Sequence, residues 1–198
     1  MPKRLLVGLL FFAGACSHWH VPHPSMPSMP SMPSMSIPRF SRGTGNGIPN
    51  DANVMAMMLA ADNSIVSYAR LAPSKTQTPS VREFANRMLR DHEEIIRVVN
   101  ETMSRMDVPP EENPASLAFR DVSTTERDQL REVSGSMFDS LYMAHEIVYH
   151  VDLLNSMDKV MIPATHDPRL KQVLVAVRPA IASHLEQAQT VAAGLKRP

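Results

Sequence analysis

The sequence predicts an all-α protein, a four-helix bundle behind a long polar leader. Two observations carry this. From Asn50 onward, apolar residues recur at spacings of three and four in four long segments, and no segment keeps the alternation of a strand. The outer pairs of segments are joined by short loops and the middle pair by a long connection, which describes a bundle of two helical hairpins. Composition agrees. Aromatics are 5% of the 198 residues and glycines number 7, too few for a β-rich or base-stacking protein.

The first helix is expected over about 51–72, where Val54, Met58, Ala61, Ile65, Tyr68 and Ala72 form one stripe and Pro73 acts as a stop. The second runs over about 80–106, with Thr78 as cap and Pro79 in the first turn. Its stripe is Val81, Phe84, Met88, His92, Ile95, Val99, Met103 and Met106, opposite a charged face of Arg82, Glu83, Arg87, Arg90, Glu94, Arg97 and Glu101. Residues 107–122, with Pro109, Pro110 and Pro114, read as a connection. A short extra helix over 124–133 follows, opened by Ser123 and Glu126 in capping-box spacing. Gly135 breaks the chain before the third helix, over about 136–160. The fourth covers about 168–195, capped by Asp167, begun by Pro168 and kinked at Pro179.

The leader reads as an export signal. Lys3 and Arg4 precede a short apolar run, Leu5 to Ala13, too short to span a bilayer. Ala13-Gly14-Ala15-Cys16 resembles a bacterial lipobox, with Cys16 the lipidated residue, and Ala13-x-Ala15 also fits ordinary signal-peptidase cleavage. The expected division is a signal peptide over 1–15, a disordered tether over 16–49 and the bundle over 50–196. Cys16 is the sole cysteine, so no intramolecular disulfide can form. Lys+Arg and Asp+Glu are both 20, and cleavage before Cys16 leaves 18 against 20, a net charge of −2. No basic stripe exists to hold nucleic acid.

Ser25 to Ser36 reads SMPSMPSMPSMS. Proline every third residue favours polyproline II, a spacer rather than a core. Met26, Met29, Met32 and Met35 align along it, behind His18, His20 and His23. Thioethers and imidazoles suit copper, so the tether is also a candidate copper tail.

One polar line runs inside the bundle. His92 and His184 lie on apolar stripes. On the third helix Asp139, Glu146 and His150 fall within about 40° of one another, on the side opposite His145, Asp152, Asn155 and Lys159, which should face water. His92, His150 and His184 each sit within roughly 3 Å of the middle of their helices, so they share a layer whatever the topology. Unpaired burial of such groups costs several kcal/mol each. Two solutions exist. One is a transition-metal ion on His92, Glu146, His150 and His184, with Asp139 and Tyr142 hydrogen-bonded behind the ligands. The other is a self-satisfied polar layer that fixes helix register. Ring nitrogens within about 4 Å would favour the ion and a separation beyond about 8 Å would exclude a shared one. The first helix holds neither Glu nor His, so the four-acid, two Glu-x-x-His set of carboxylate di-iron bundles is missing. There is also no phosphate loop and no nucleophile set.

Several runs resemble one family of exported bacterial proteins. They are Asn63 to Ala72 (NSIVSYARLA), Val81-Arg-Glu-Phe84-Ala85-x-x-Met88-x-x-Asp91-His92, Phe138-Asp139-x-x-Tyr142 with His150, Arg178-Pro179, and His184-Leu185. The family is the domain of unknown function 4142. The resemblance implies a ferritin-like four-helix bundle in the cell envelope with no established enzymatic activity. It also implies that His92, Asp139, Tyr142, His150 and His184 are recurring family positions, and that Ser64 stands where relatives often carry Glu. The first expectation is therefore a non-enzymatic lipoprotein, anchored through Cys16 to the outer membrane on its periplasmic side, acting in envelope maintenance or stress, with room for an envelope protein partner. The second is a periplasmic protein binding copper, iron or zinc. The third is a redox enzyme at the bundle site.

Overall fold

A computed structural model describes residues 49–195, and among them every regular element is helical. The helices are α1 (Asp51–Ala69), α2 (Ala72–Lys75), α3 (Pro79–Met106), α4 (Pro114–Glu132), α5 (Gly135–Ser156), α6 (Ile162–Ala164) and α7 (Pro168–Leu195), with a π-helical turn, Met157–Met161, between α5 and α6. Local chemistry sets the starts. Asn50 and Asn53 form a capping box on α1, and Asn113 and Ser116 form one on α4. Gly135 takes a left-handed φ of 60° as α5 begins. Asp167 opens α7 by accepting from the Arg169 N–H at 2.8 Å.

Contacts at the two ends fix the topology. At one end Asp51 accepts from the His166 and Asp167 N–H groups, Asn53 reaches the Glu111 carbonyl and Arg169 the Arg105 carbonyl. At the other end Lys75 bonds the Arg131 carbonyl and Thr78 the Asp139 carboxylate. Hence α1 runs up, α3 down, α5 down and α7 up, with α4 climbing back between α3 and α5. Two antiparallel hairpins joined by one crossover are the ferritin-like connectivity. The pairs α1–α3, α5–α7 and α3–α7 pack closely, and α4 lies against α1. The core is rich in methionine: Met55, Met57, Met58, Met88, Met143, Met157 and Met161 are fully buried. Each fully buried side chain of this size contributes about 1.5–3 kcal/mol.

The crossover differs from expectation. The extra helix starts at Pro114 rather than 124, so Ser123 and Glu126 are buried mid-helix residues and not a cap. Proline at a first helical position had looked like a loop residue. The first helix ends at Ala69, three residues before the expected stop, and Pro73 opens the short α2. Thr78 makes no capping bond because its hydroxyl serves Asp139. Among the described residues no helix is long and apolar enough to cross a membrane. Cys16, His18, His20, His23, Met26, Met29, Met32 and Met35 lie outside the described residues.

Candidate metal centre

His92 on α3, His150 on α5 and His184 on α7 are each 0% exposed. One ring nitrogen from each lies within 4.8 Å of the other two, and the ring centroids are 5.0–5.6 Å apart. At 4.8 Å the separation lies between the two limits, beyond the roughly 4 Å that would favour a shared ion and well inside the roughly 8 Å that would exclude one. A tetrahedral ion with bonds of about 2.0–2.1 Å wants its nitrogens about 3.4 Å apart, so side-chain rotations of the order of 1 Å would close the site.

Each imidazole spends one nitrogen on an oxygen acceptor. His92 Nδ1 meets Asp62 Oδ1 at 2.7 Å, His150 Nδ1 the Glu146 carbonyl at 2.8 Å, and His184 Nε2 Asp91 Oδ2 at 2.8 Å. Carboxylates and carbonyls only accept, so these nitrogens donate. In a neutral imidazole the other nitrogen then carries a lone pair. His92 Nε2, His150 Nε2 and His184 Nδ1 are buried without a hydrogen-bond partner. For two of the rings a proton does not fill the gap at neutral pH: burial, and then the field of His92, hold His150 well below the usual imidazole range and push His184 down to about 4. Oxygen acceptors on the outer nitrogens, fixing the tautomer and aiming the inner lone pairs, are the usual support of histidine metal ligands.

The structure revises the layer at four points. Asp62 of α1 joins it, fully buried against His92. The first helix therefore does bring an acid. Burial raises its carboxyl, while the hydrogen bond and charge of His92 oppose this. The signal was available, because Asp62 lies four residues after Met58 and three before Ile65, on the apolar stripe. Glu146 stands outside the converging set. Its Oε2 is 3.3 Å from His150 Nδ1, the outer nitrogen, and burial raises its carboxyl to about 8 against the effect of Tyr142. Asp139 does not back any ligand: it bonds Thr78 at 2.5 Å, eleven residues or about 16 Å of helix from His150. Tyr142 lies beside Glu146, held between Phe138 and Phe84 with centroids at 5.5 and 6.1 Å.

His145 was expected in water and is 2% exposed. The cause is α4, which is long enough to help bury that side of α5. A second polar cluster forms there. Tyr68 donates to Glu126 Oε2 at 2.7 Å, and Tyr149 packs edge-on to Tyr68 at 5.9 Å. Burial raises Glu126 to about 7, against the Tyr68 hydrogen bond and with help from Asp152. Burial also pushes His145 down to about 4.

Residues 41–191 match the family described as a domain of unknown function, DUF4142. The chain belongs to this family. The match covers α1 to α6, α7 as far as residue 191, and both clusters, so the histidine layer lies within the DUF4142 domain itself. No curated protein and no solved structure gives a significant match.

Proposed function

We propose that this DUF4142 protein binds one transition-metal ion on His92, His150 and His184, and works as a non-enzymatic metal-binding protein of the cell envelope. The carrying observation is the set of three buried nitrogens that have no partner while the opposite nitrogen of each ring is bonded. A self-satisfied polar layer would pair these nitrogens too, and their lack of partners favours an ion over a purely structural layer. Three imidazoles suit zinc, copper or iron of the borderline class, whereas magnesium and calcium want oxygen. No carboxylate joins the set, which sets carboxylate di-iron chemistry aside. Donors that are wholly covered favour holding an ion over turning over a substrate. The address rests on the leader: an export signal and a lipobox-like run ending in Cys16 support a lipid-anchored protein on the periplasmic side of the outer membrane. The methionine- and histidine-rich tether is a second copper reading, supported by its sequence repeat alone.

Elemental analysis of the full chain purified from its native envelope tests this. The expected result is about one metal per chain, lost in a His92→Ala/His150→Ala variant that still folds. Metal-free protein that takes up no zinc, copper or iron on titration would overturn it. Copper that vanishes on truncation to Ser36 but survives the double substitution would move the site to the tether.

A further inference from the structure

The three outer acceptors differ in their reach to solvent. Asp62 and Glu146 are 0% exposed, so the His92 and His150 branches end inside the bundle. The His184 branch does not. Its acceptor Asp91 has a side chain 35% exposed. Arg87 lies across this edge. Its Nε bonds Asp91 Oδ2 at 3.2 Å, its Nη1 bonds Gln187 Oε1 at 2.7 Å and its Nη2 bonds Ser183 Oγ at 3.2 Å. Ser183 and Gln187 flank His184 on α7, so one guanidinium straps α3 to α7 over the imidazole. Both bonds to Asp91 use Oδ2, which leaves Oδ1 to solvent.

We infer that Asp91 is an outer capture site for the incoming divalent cation and that Arg87 is the latch over it. This rests on the trihistidine reading. A buried site needs an entry path, and this edge is where a polar chain leads from the histidine layer to water. The ion first meets the free Asp91 oxygen. It displaces Arg87, one cation for another, so the carboxylate is never left unpaired. Rotation of the His184 ring then hands the ion to the three inner nitrogens, and Arg87 closes again over Ser183 and Gln187. The order explains why the exposed acceptor, rather than a buried one, carries an arginine.

A latch slows entry and exit alike, whereas a ligand changes one relative to the other. Stopped-flow binding of Co²⁺ to the full chain, followed by its visible absorption, and release to a chelator give the two rates. Arg87→Met is expected to speed both by about tenfold with their ratio within about threefold, because a positive charge is removed from the entry path. Arg87→Lys should restore slow exchange. Asp91→Asn should slow association by roughly tenfold and weaken binding, since Asp91 also orients His184. Ser183→Ala/Gln187→Ala, which leaves Arg87 and Asp91 intact, should speed exchange in both directions and guards against a folding defect in the first variant. Wild-type rates in Arg87→Met and in the double variant, with Co²⁺ bound, would overturn the latch and leave the trihistidine site standing. Failure of the wild type to bind Co²⁺, Zn²⁺ or copper would overturn that site and the latch with it.

Discussion

Two buried polar clusters lie about one and a half helical turns apart along α5, one around His150 and one around His145. They hold the same kinds of residues and are built differently. Around His150 one nitrogen of each ring meets an oxygen acceptor and the other has no hydrogen-bond partner. Around His145, Tyr68 is bonded directly to Glu126, while both His145 nitrogens and the Tyr149 hydroxyl have no hydrogen-bond partner. Burial and residue type are therefore poor guides to a ligand site. What separates the two is convergence: three histidine rings bring one nitrogen each within 4.8 Å of one another around His150, and among the described residues no such set of three forms around His145.

The largest effect should come from Asp62. Asp62→Ala leaves a fully buried His92 nitrogen without its acceptor, at a cost of about 1–3 kcal/mol in urea unfolding of the metal-free protein. Metal affinity should also fall roughly 10–100-fold, measured by chelator competition. Glu126→Ala should be destabilising as well, by about 1–3 kcal/mol, because the Tyr68 hydroxyl loses its partner. Its metal affinity should stay at the wild-type value. If Glu126→Ala releases metal as Asp62→Ala does, the two clusters are one site and the distinction fails.

A pH comparison sharpens the same contrast with a somewhat smaller effect. Glu126 rises from an ordinary 4.5 to about 7 on folding. The folded chain then holds its proton where the unfolded chain has released it. The contribution of Glu126 is full below pH 4.5 and is lost as pH rises toward 7, by about 3 kcal/mol as an upper figure. Tyr68, Tyr149, Glu146 and Asp152 interact with it, and His145, packed on Tyr68, acts in the opposite direction at lower pH. The clean measurement is the stability difference between wild type and Glu126→Gln at a series of pH values. Gln keeps an acceptor for Tyr68 and cannot ionise, so the wild type should lose ground to it steadily between pH 4.5 and 7. A flat difference would mean that Glu126 is solvated and not part of a finished core.

The bundle and its histidine layer were legible in the sequence because they rest on periodicity. His92, His150 and His184 lie on core stripes near helix midpoints, and neither fact needs tertiary information. What was misread depended on α4. Its few large apolar residues, Phe119 and Leu130 among the buried ones, give a weak stripe, and Pro114 at its start looked like a loop. Without α4, one side of α5 seemed free to meet solvent, so His145 was placed in water. Asp62 is legible on the same grounds, four residues after Met58 and three before Ile65 on the apolar stripe of α1. Asp139 illustrates the limit of helical phasing. It shares an angle with His150 yet sits three turns away, beside Thr78.

The smallest expected effect is the most discriminating for residue type. Neither ring nitrogen of His145 has a hydrogen-bond partner, and burial pushes the ring down to about 4. A buried polar group left in that state costs stability, and an apolar side chain of similar size does not. His145→Leu should therefore raise the unfolding free energy by about 1 kcal/mol at pH 7 and leave metal binding intact. The gain should grow on acidification. A folded-state imidazole with a lowered value binds fewer protons than the unfolded one, so wild-type stability falls as pH drops from 6.5 toward 4. The leucine variant lacks that loss. His150→Leu, five residues along the same helix, should abolish metal binding. Loss of metal in His145→Leu would draw His145 into the metal layer. A clear destabilisation at pH 7 would show instead that its nitrogens are bonded, and that the second cluster too is held together by its histidine.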